Sequence, residues 1–251
     1  MRRARTLAPD PQTLIIVNCA GRTRSIMGTQ PLLNAGIPNS LATLRNSTID
    51  WKLAGLALDH GASRRFTEVS GCQRNEASQQ SRAVADRAGV HRAELKPLAL
   101  FLAKTGGVPH TGLTFAPRKN LQRGICQVFF SAPGGQLVQK TDVSMPVRGA
   151  RVVAADQDDV RADMSAFWLA QMGWVACVIQ EFNAAYLVQN ILTEVVINQR
   201  ENRPAVPLTQ RYIRPCEGTD NPHEAMQAYL DWEYGLVYLP ARDGTHGFNI
   251  L

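Results

Sequence analysis

The sequence predicts an α/β protein with parallel strands flanked by helices, arranged as two incomplete tandem units. Leu14 to Asn18, a short run apolar up to its last residue, reads as a parallel strand buried on both faces, and Val152 to Ala155 reads as another strand. Each run leads through a short polar loop into a helix-forming stretch. The resulting strand–loop–helix units, residues 14–35 and 152–172, look like copies of one domain type.

The remaining elements are taken in chain order. Residues 2–8 read as the end of a helix stopped by Pro9 and Pro11. After the first apolar run, a helix is expected from about Arg24 to Asn34, with Gly36 as its stop and Pro38 just beyond. Leu41 to Leu44 is a second strand and Asn46-Ser47 a turn. Polar residues from Glu68 to Ser81 read as a linker, and helices are expected over Glu76 to Arg87 and Ala93 to Ala103. From Val108 to Phe130 no period holds. Val152 to Ala155 leads through Asp156 into an amphipathic helix that ends at Met172 before Gly173, and Val175 to Ile179 is a further strand. Near the C-terminus, Asn221, Pro222 and Glu224 form a helix start with a capping box, and that helix is expected to end near Tyr234, before Gly235. The domain reading is therefore 1–65, a linker over 66–92, a second unit over 93–185, and a tail with one helix over 186–251.

Composition narrows the classes. The 251 residues carry a formal net charge of +6, with 45% hydrophobic residues, enough for a core. The charges are scattered, with no basic stripe interleaved with aromatics, which argues against a nucleic-acid partner. No apolar window has the length of a membrane span, and no signal core comes after the basic Met1-Arg2-Arg3 start, so a cytoplasmic protein without a membrane partner is expected. The five cysteines are widely spaced without a CxxC pair, and the histidines form no cluster, so neither a metal site nor a cofactor is expected.

Cys19 closes the first apolar run and stands before Ala20-Gly21-Arg22-Thr23-Arg24-Ser25. A thiol there faces a ring of backbone N–H groups at the positive end of a helix, and both place partial positive charge where a negative sulfur would sit. One alternative is a small apolar residue closing a buried strand. A second is a cysteine-dependent phosphatase, whose loop needs arginine six positions after the cysteine; here Arg24 lies five positions on and Ser25 takes the sixth. The third is sulfur transfer.

Cys19-Ala20-Gly21-Arg22-Thr23-Arg24-Ser25 resembles the active-site loop of rhodanese-type sulfurtransferases, which commonly runs cysteine, four variable residues, arginine, serine. Gly28, Ala35-Gly36-Ile37-Pro38, Leu44-Arg45-Asn46 and Trp51 resemble the segment after that loop in multi-domain bacterial rhodaneses. Gly134 to Gln139, Val147 to Arg151 and Met164 to Trp174 resemble the corresponding parts of a further copy, and Tyr212 to Phe248 the closing segment of the same long proteins. The resemblance implies a rhodanese-like parallel sheet and a catalytic Cys19 that takes sulfur from thiosulfate or a similar donor and passes it, as a persulfide, to cyanide or a thiol. It implies that N–H groups from Ala20 to Ser25 bind the transferred sulfur, with Arg22 and Arg24 steering the anion. Arg24 can equally bond loop carbonyls, and Ser25 is expected to cap the helix.

The resemblance also sets expectations about what is missing. A rhodanese domain opens with an Asp-x-Arg strand and a Gly-His-hydrophobic-Pro-Gly motif, and neither precedes Cys19, so the first unit is expected to lack its N-terminal half. In the second unit Asp156 stands where the cysteine would, and aspartate cannot carry a persulfide. The patternless stretch has a further reading in the genetic code. Joining the third base of each codon to the first two of the next, permitted synonymous codons spell FDVRTPEEFAAGHLPGF over residues 112–128, which contains both missing motifs. Compensating frameshifts bracketing about 107–129 would account for this, and the nucleotide sequence decides it. The alternatives to an active sulfurtransferase are thus a non-catalytic, truncated or frameshifted remnant, and a persulfide-carrying or partner-binding module.

Overall fold

The computed structural model describes residues 2–61, 70–94, 110–114, 129–131, 137–138, 141–145, 150–156, 158–180, 220–244 and 247–249. The expected helix over 93–103 lies outside them except at its start, as do most of residues 107–129, for which a frameshift is one reading, and the segment 181–219. The chain divides into two compact units, one of residues 1–70 with 211–247 and the other of residues 71–210 with 248–251.

The first unit contains α1 (Arg2–Leu7), β1 (Ile15–Val17), α2 (Thr23–Asn34), β2 (Leu41–Thr43), α3 (Ser47–Leu53) and, from the far end of the chain, α7 (Pro222–Asp243). β1 and β2 pair in parallel, Ile15 opposite Leu41 and Val17 opposite Thr43. α2 supplies the crossover that parallel neighbours require. It ends as expected at Gly36, whose φ of +63° suits a residue without a Cβ, while the Ile37 N–H reaches back to the Leu32 carbonyl. Asn39 is buried and its Nδ2 donates to the Asp10 and Thr13 carbonyls at 2.8 and 3.1 Å, tying the segment before β1 to the one before β2. The expectation that β1 is buried on both faces does not hold in this unit. Leu14 and Ile16 are 52% and 56% exposed, because a strand's apolar sequence buries nothing until neighbouring elements cover it.

α7 begins as the sequence implies. The Asn221 side chain accepts the Glu224 N–H at 3.2 Å, Pro222 occupies the first turn, and Asn221 Nδ2 donates to Glu224 Oε2 at 2.8 Å. Its end lies nine residues beyond the expected Tyr234: the helix runs through Gly235 and stops at Gly244, with φ +63°. An interior glycine costs about 1 kcal/mol against alanine, too little to break a helix held by tertiary packing. Met226 and Leu230 of α7 bury against Ile49 of α3.

The second unit contains α4 (Gly71–Arg87), β3 (His91–Ala93), β4 (His110–Thr114), β5 (Phe129–Ser131), α5 (Thr141–Ser144), β6 (Arg151–Ala155), α6 (Val160–Gln171) and β7 (Val175–Ile179). Residues 71–87, expected as partly linker, are one helix packed against α6. Its polar sequence hides this: of its seventeen residues, Ser81, Val84 and Ala85 are the buried ones. All strands pair in parallel in the order β3-β7-β6-β4-β5. β6 is central in this sheet, and Val152 to Ala155 are buried. Small residues on α6, Ala162 and Ala166, let it lie close to the sheet, where Val152, Val178 and Leu169 complete the core.

Candidate active site around Cys19

Cys19 lies two residues past the end of β1, after Asn18, and the next residues turn into α2 so that Gly21 and Ser25 are buried while Arg22, Thr23 and Arg24 are partly exposed. Ala20 lies between them, its carbonyl accepting the Thr48 hydroxyl at 2.8 Å. Thr48 also reaches the Cys19 carbonyl, through its N–H and its hydroxyl, both at 3.3 Å. The loop is therefore held from outside by the first residues of α3.

Ser47 reaches the sulfur from the start of α3. It is fully buried, its Oγ lies 3.4 Å from Cys19 Sγ, and it accepts the Cys19 N–H at 3.1 Å. It donates to Ser25 Oγ at 3.3 Å, and Ser25 donates to the Arg22 carbonyl at 2.8 Å. A file of hydroxyls thus leads from the sulfur to the loop backbone. Ser25 is not the helix cap it was expected to be. Arg22 holds the cap position, and Ser25 sits in the first turn as a member of this file. Ser47 adopts its place at φ +53°, after Asn46 at +46°, a backbone region that non-glycine residues enter at a cost of about 1–2 kcal/mol.

Burial pushes the Cys19 thiol up, but hydrogen bonds from the Ser47 and Ser25 hydroxyls and from the Gly21 and Ser25 backbone outweigh it, and the thiol lies below its ordinary value. Cys177, in β7, shows the opposite balance, with burial raising its thiol. Between Cys19 and Cys177, then, Cys19 is the one whose surroundings favour thiolate.

α7 contributes three residues that no local sequence signal marks. Tyr229 packs on Gly21, where an added Cβ would come within 3.3 Å of its ring. Glu233 accepts the Thr23 hydroxyl at 3.2 Å and the Tyr229 hydroxyl. Tyr234 lies under Arg22, whose guanidinium carbon is 4.6 Å from the ring centroid, and its hydroxyl donates to Asn46 Oδ1 at 3.1 Å.

In the second unit the equivalent position, at the end of β6, is Asp156. It is buried, and its carboxylate accepts the Arg161 N–H at 3.1 Å. A carboxylate oxygen there occupies a backbone donor of the kind that serves the sulfur in the Cys19 loop.

No family model and no curated protein matches the chain. Among solved structures it is similar to a thiosulfate sulfurtransferase from Pseudomonas aeruginosa, at 38% sequence identity over 99% of this chain and 67% of that one, with a TM-score of 0.78. The chain belongs to the rhodanese-like sulfurtransferases. Its α/β architecture of parallel strands flanked by helices is that of this family. The cysteine loop that resembles the rhodanese loop in sequence lies, in the structure, at the strand–helix junction of the first unit. Among the described residues no three acidic, histidine or cysteine side chains form a group that could hold a metal ion. No described helix is long and apolar enough to cross a membrane.

Proposed function

We propose that this rhodanese-like chain moves sulfane sulfur from thiosulfate or a similar donor to a thiophilic acceptor through a persulfide on Cys19. The observation that carries the proposal is the lowered Cys19 thiol, held by the Ser47 and Ser25 hydroxyls at the head of a loop of backbone donors. The thiolate attacks the outer sulfur of thiosulfate, the S–S bond of the donor breaks, and sulfite leaves with the bonding pair. The persulfide's terminal sulfur carries the negative charge, which N–H groups from Ala20 to Ser25 would stabilise as an oxyanion hole stabilises an alkoxide. Cyanide or a thiolate then attacks that sulfur, and Cys19 leaves as thiolate, ready for another donor. Arg22 and Arg24 raise the local concentration of the anionic donor. A reducing compartment such as the cytoplasm would keep Cys19 free for this cycle.

Incubating the protein with thiosulfate and weighing the tryptic peptide that contains Cys19 tests the proposal. A gain of one sulfur mass, absent in Cys19→Ser and discharged by cyanide as thiocyanate, is the expected result. No gain from any sulfane donor in a cooperatively folded sample would leave a non-catalytic remnant. A gain from a protein persulfide and none from thiosulfate would make the chain a persulfide carrier.

A further inference from the structure

Three consecutive residues of the cysteine loop each meet a different residue of α7. Gly21 meets Tyr229, Arg22 meets Tyr234, and Thr23 meets Glu233. Tyr229 and Glu233 are four positions apart and share one face of the helix, and Tyr234 lies about 100° round from Glu233. The same helix reaches the other side of the site, where the Tyr234 hydroxyl bonds Asn46, the neighbour of Ser47. Tyr234 therefore touches both segments that surround the sulfur without touching the sulfur itself.

Arg22 is the residue most affected. A free arginine on a loop samples many rotamers, whereas a guanidinium lying 4.6 Å above a tyrosine ring is held by the ring's negative face and confined to one region. A guanidinium that meets a ring through its face keeps its N–H edges for an anion. The ring itself is fixed by its hydroxyl bond to Asn46, which also donates to Asp50 at 3.1 Å. Loop, ring and α3 thus form one chain of contacts that ends on the guanidinium of Arg22, three residues along the loop from Cys19.

We propose that Tyr234 is a positioning residue for donor selection: by holding Arg22 on its ring, it gives the Cys19 loop a fixed cation that favours a small dianionic donor such as thiosulfate over a neutral or thiol-borne one. The inference rests on the sulfur-transfer reading above, and its test separates the two. Thiosulfate binding is measured in Cys19→Ser, where no transfer occurs, and turnover is measured with Cys19 intact.

The variants are Tyr234→Leu, which removes the ring, Tyr234→Phe, which keeps the ring and loses the Asn46 bond, and Arg22→Lys, which keeps the charge and loses the plane. Tyr234→Leu and Arg22→Lys are each expected to raise the thiosulfate Kd and KM about fivefold to tenfold, in line with the worth of a partly exposed cation–π contact, with kcat within about twofold. Tyr234→Phe is expected to stay within about twofold of the parent, and KM for a low-molecular-weight persulfide to change little in any of the three. Combining Tyr234→Leu with Arg22→Ala should add nothing to Arg22→Ala alone. Unchanged thiosulfate Kd and KM in both Tyr234→Leu and Arg22→Lys would overturn the inference, as would an equal loss for the persulfide donor. If Tyr234→Leu fails to fold, Arg22→Lys decides alone, since it alters a partly exposed side chain. Tyr234-dependent thiosulfate binding without turnover would uphold this inference and overturn the transfer reading.

Discussion

Ser47 Oγ stands 3.4 Å from Cys19 Sγ while accepting the Cys19 backbone N–H at 3.1 Å, so one hydroxyl fixes both the sulfur and the chain that carries it. A hydroxyl has one proton and two acceptor sites, so Ser47 can accept from a thiol while it donates to Ser25, and can turn that same O–H from Ser25 to a thiolate. Ionisation of Cys19 therefore leaves the heavy atoms in place.

Removing this hydroxyl should weaken the thiolate. Ser47→Ala and Ser47→Gly are both expected to slow iodoacetamide alkylation of Cys19 at neutral pH about threefold to tenfold, the worth of one net hydrogen bond. The profile of rate against pH should move upward, because the bond that favoured the charged form is lost. Stability should separate the two variants. Glycine accepts the positive φ at residue 47 and alanine does not, so Ser47→Gly should be the more stable by about 1 kcal/mol. Alkylation at the parent rate in both variants would remove Ser47 from the account of Cys19 reactivity.

Two ion pairs of the same kind should differ sharply in their worth. Asp163 is fully buried and is paired with Arg92, which also donates to Asp86 at 3.0 Å. Arg92→Ala strands a charge in the core and should cost about 3–5 kcal/mol. Arg45 pairs with Asp50 at 3.2 Å, but its side chain is 87% exposed. Arg45→Ala should cost under about 1 kcal/mol, because water screens the pair. Urea unfolding of both variants checks the contrast, and equal costs would contradict it.

Asp159 gives the second unit a dependence on pH. Burial, followed by the charge of Asp163, raises its carboxyl to about 6, against 3.8 ordinarily, while Arg82 opposes the shift. Between these values the folded chain holds a proton that the unfolded chain has released. The contribution is thus greatest below about pH 4 and is lost as pH rises through about 6, by up to about 3 kcal/mol. Asp163 is shifted in the same direction by burial and adds to the effect. Asp159→Asn keeps a side chain suited to φ +58° and removes the ionisation. It should slow hydrogen exchange of β6 and β7 amides at pH 7.5 and flatten the change in their protection between pH 4 and 6.5. An unaltered pH profile in Asp159→Asn would assign the dependence to another group.

The sequence disclosed what depends on neighbours along the chain. Strand, cysteine, loop and helix succeed one another from Leu14 to Asn34, and their local signals agree with the folded elements to within a residue or two. The Asn221 start of α7 was readable for the same reason, since a cap and its partner are three residues apart. Ser47 and Tyr234 were not readable as site residues. Ser47 lies 28 positions from Cys19, and Glu233 lies 210 positions from Thr23; only the fold brings them together. The same limit applied to burial, which a strand shares with whatever lies against it.

The dependence of burial on neighbours has a direct test in two strands of the same apolar character. Ile16, in the middle of β1, is 56% exposed, whereas Val153, in the middle of β6, is 4% exposed. A β-branched polar residue keeps the strand's backbone preference, so threonine isolates the effect of burial from that of propensity. Ile16→Thr should change stability by no more than about 0.5 kcal/mol, as surface substitutions do. Val153→Thr buries a hydroxyl in place of a methyl group and should cost about 1–3 kcal/mol. Ile16→Thr should also raise solubility, because it shortens an exposed apolar run on a two-stranded sheet. If Ile16→Thr proved as costly as Val153→Thr, the face of β1 that carries Ile16 would be covered in solution.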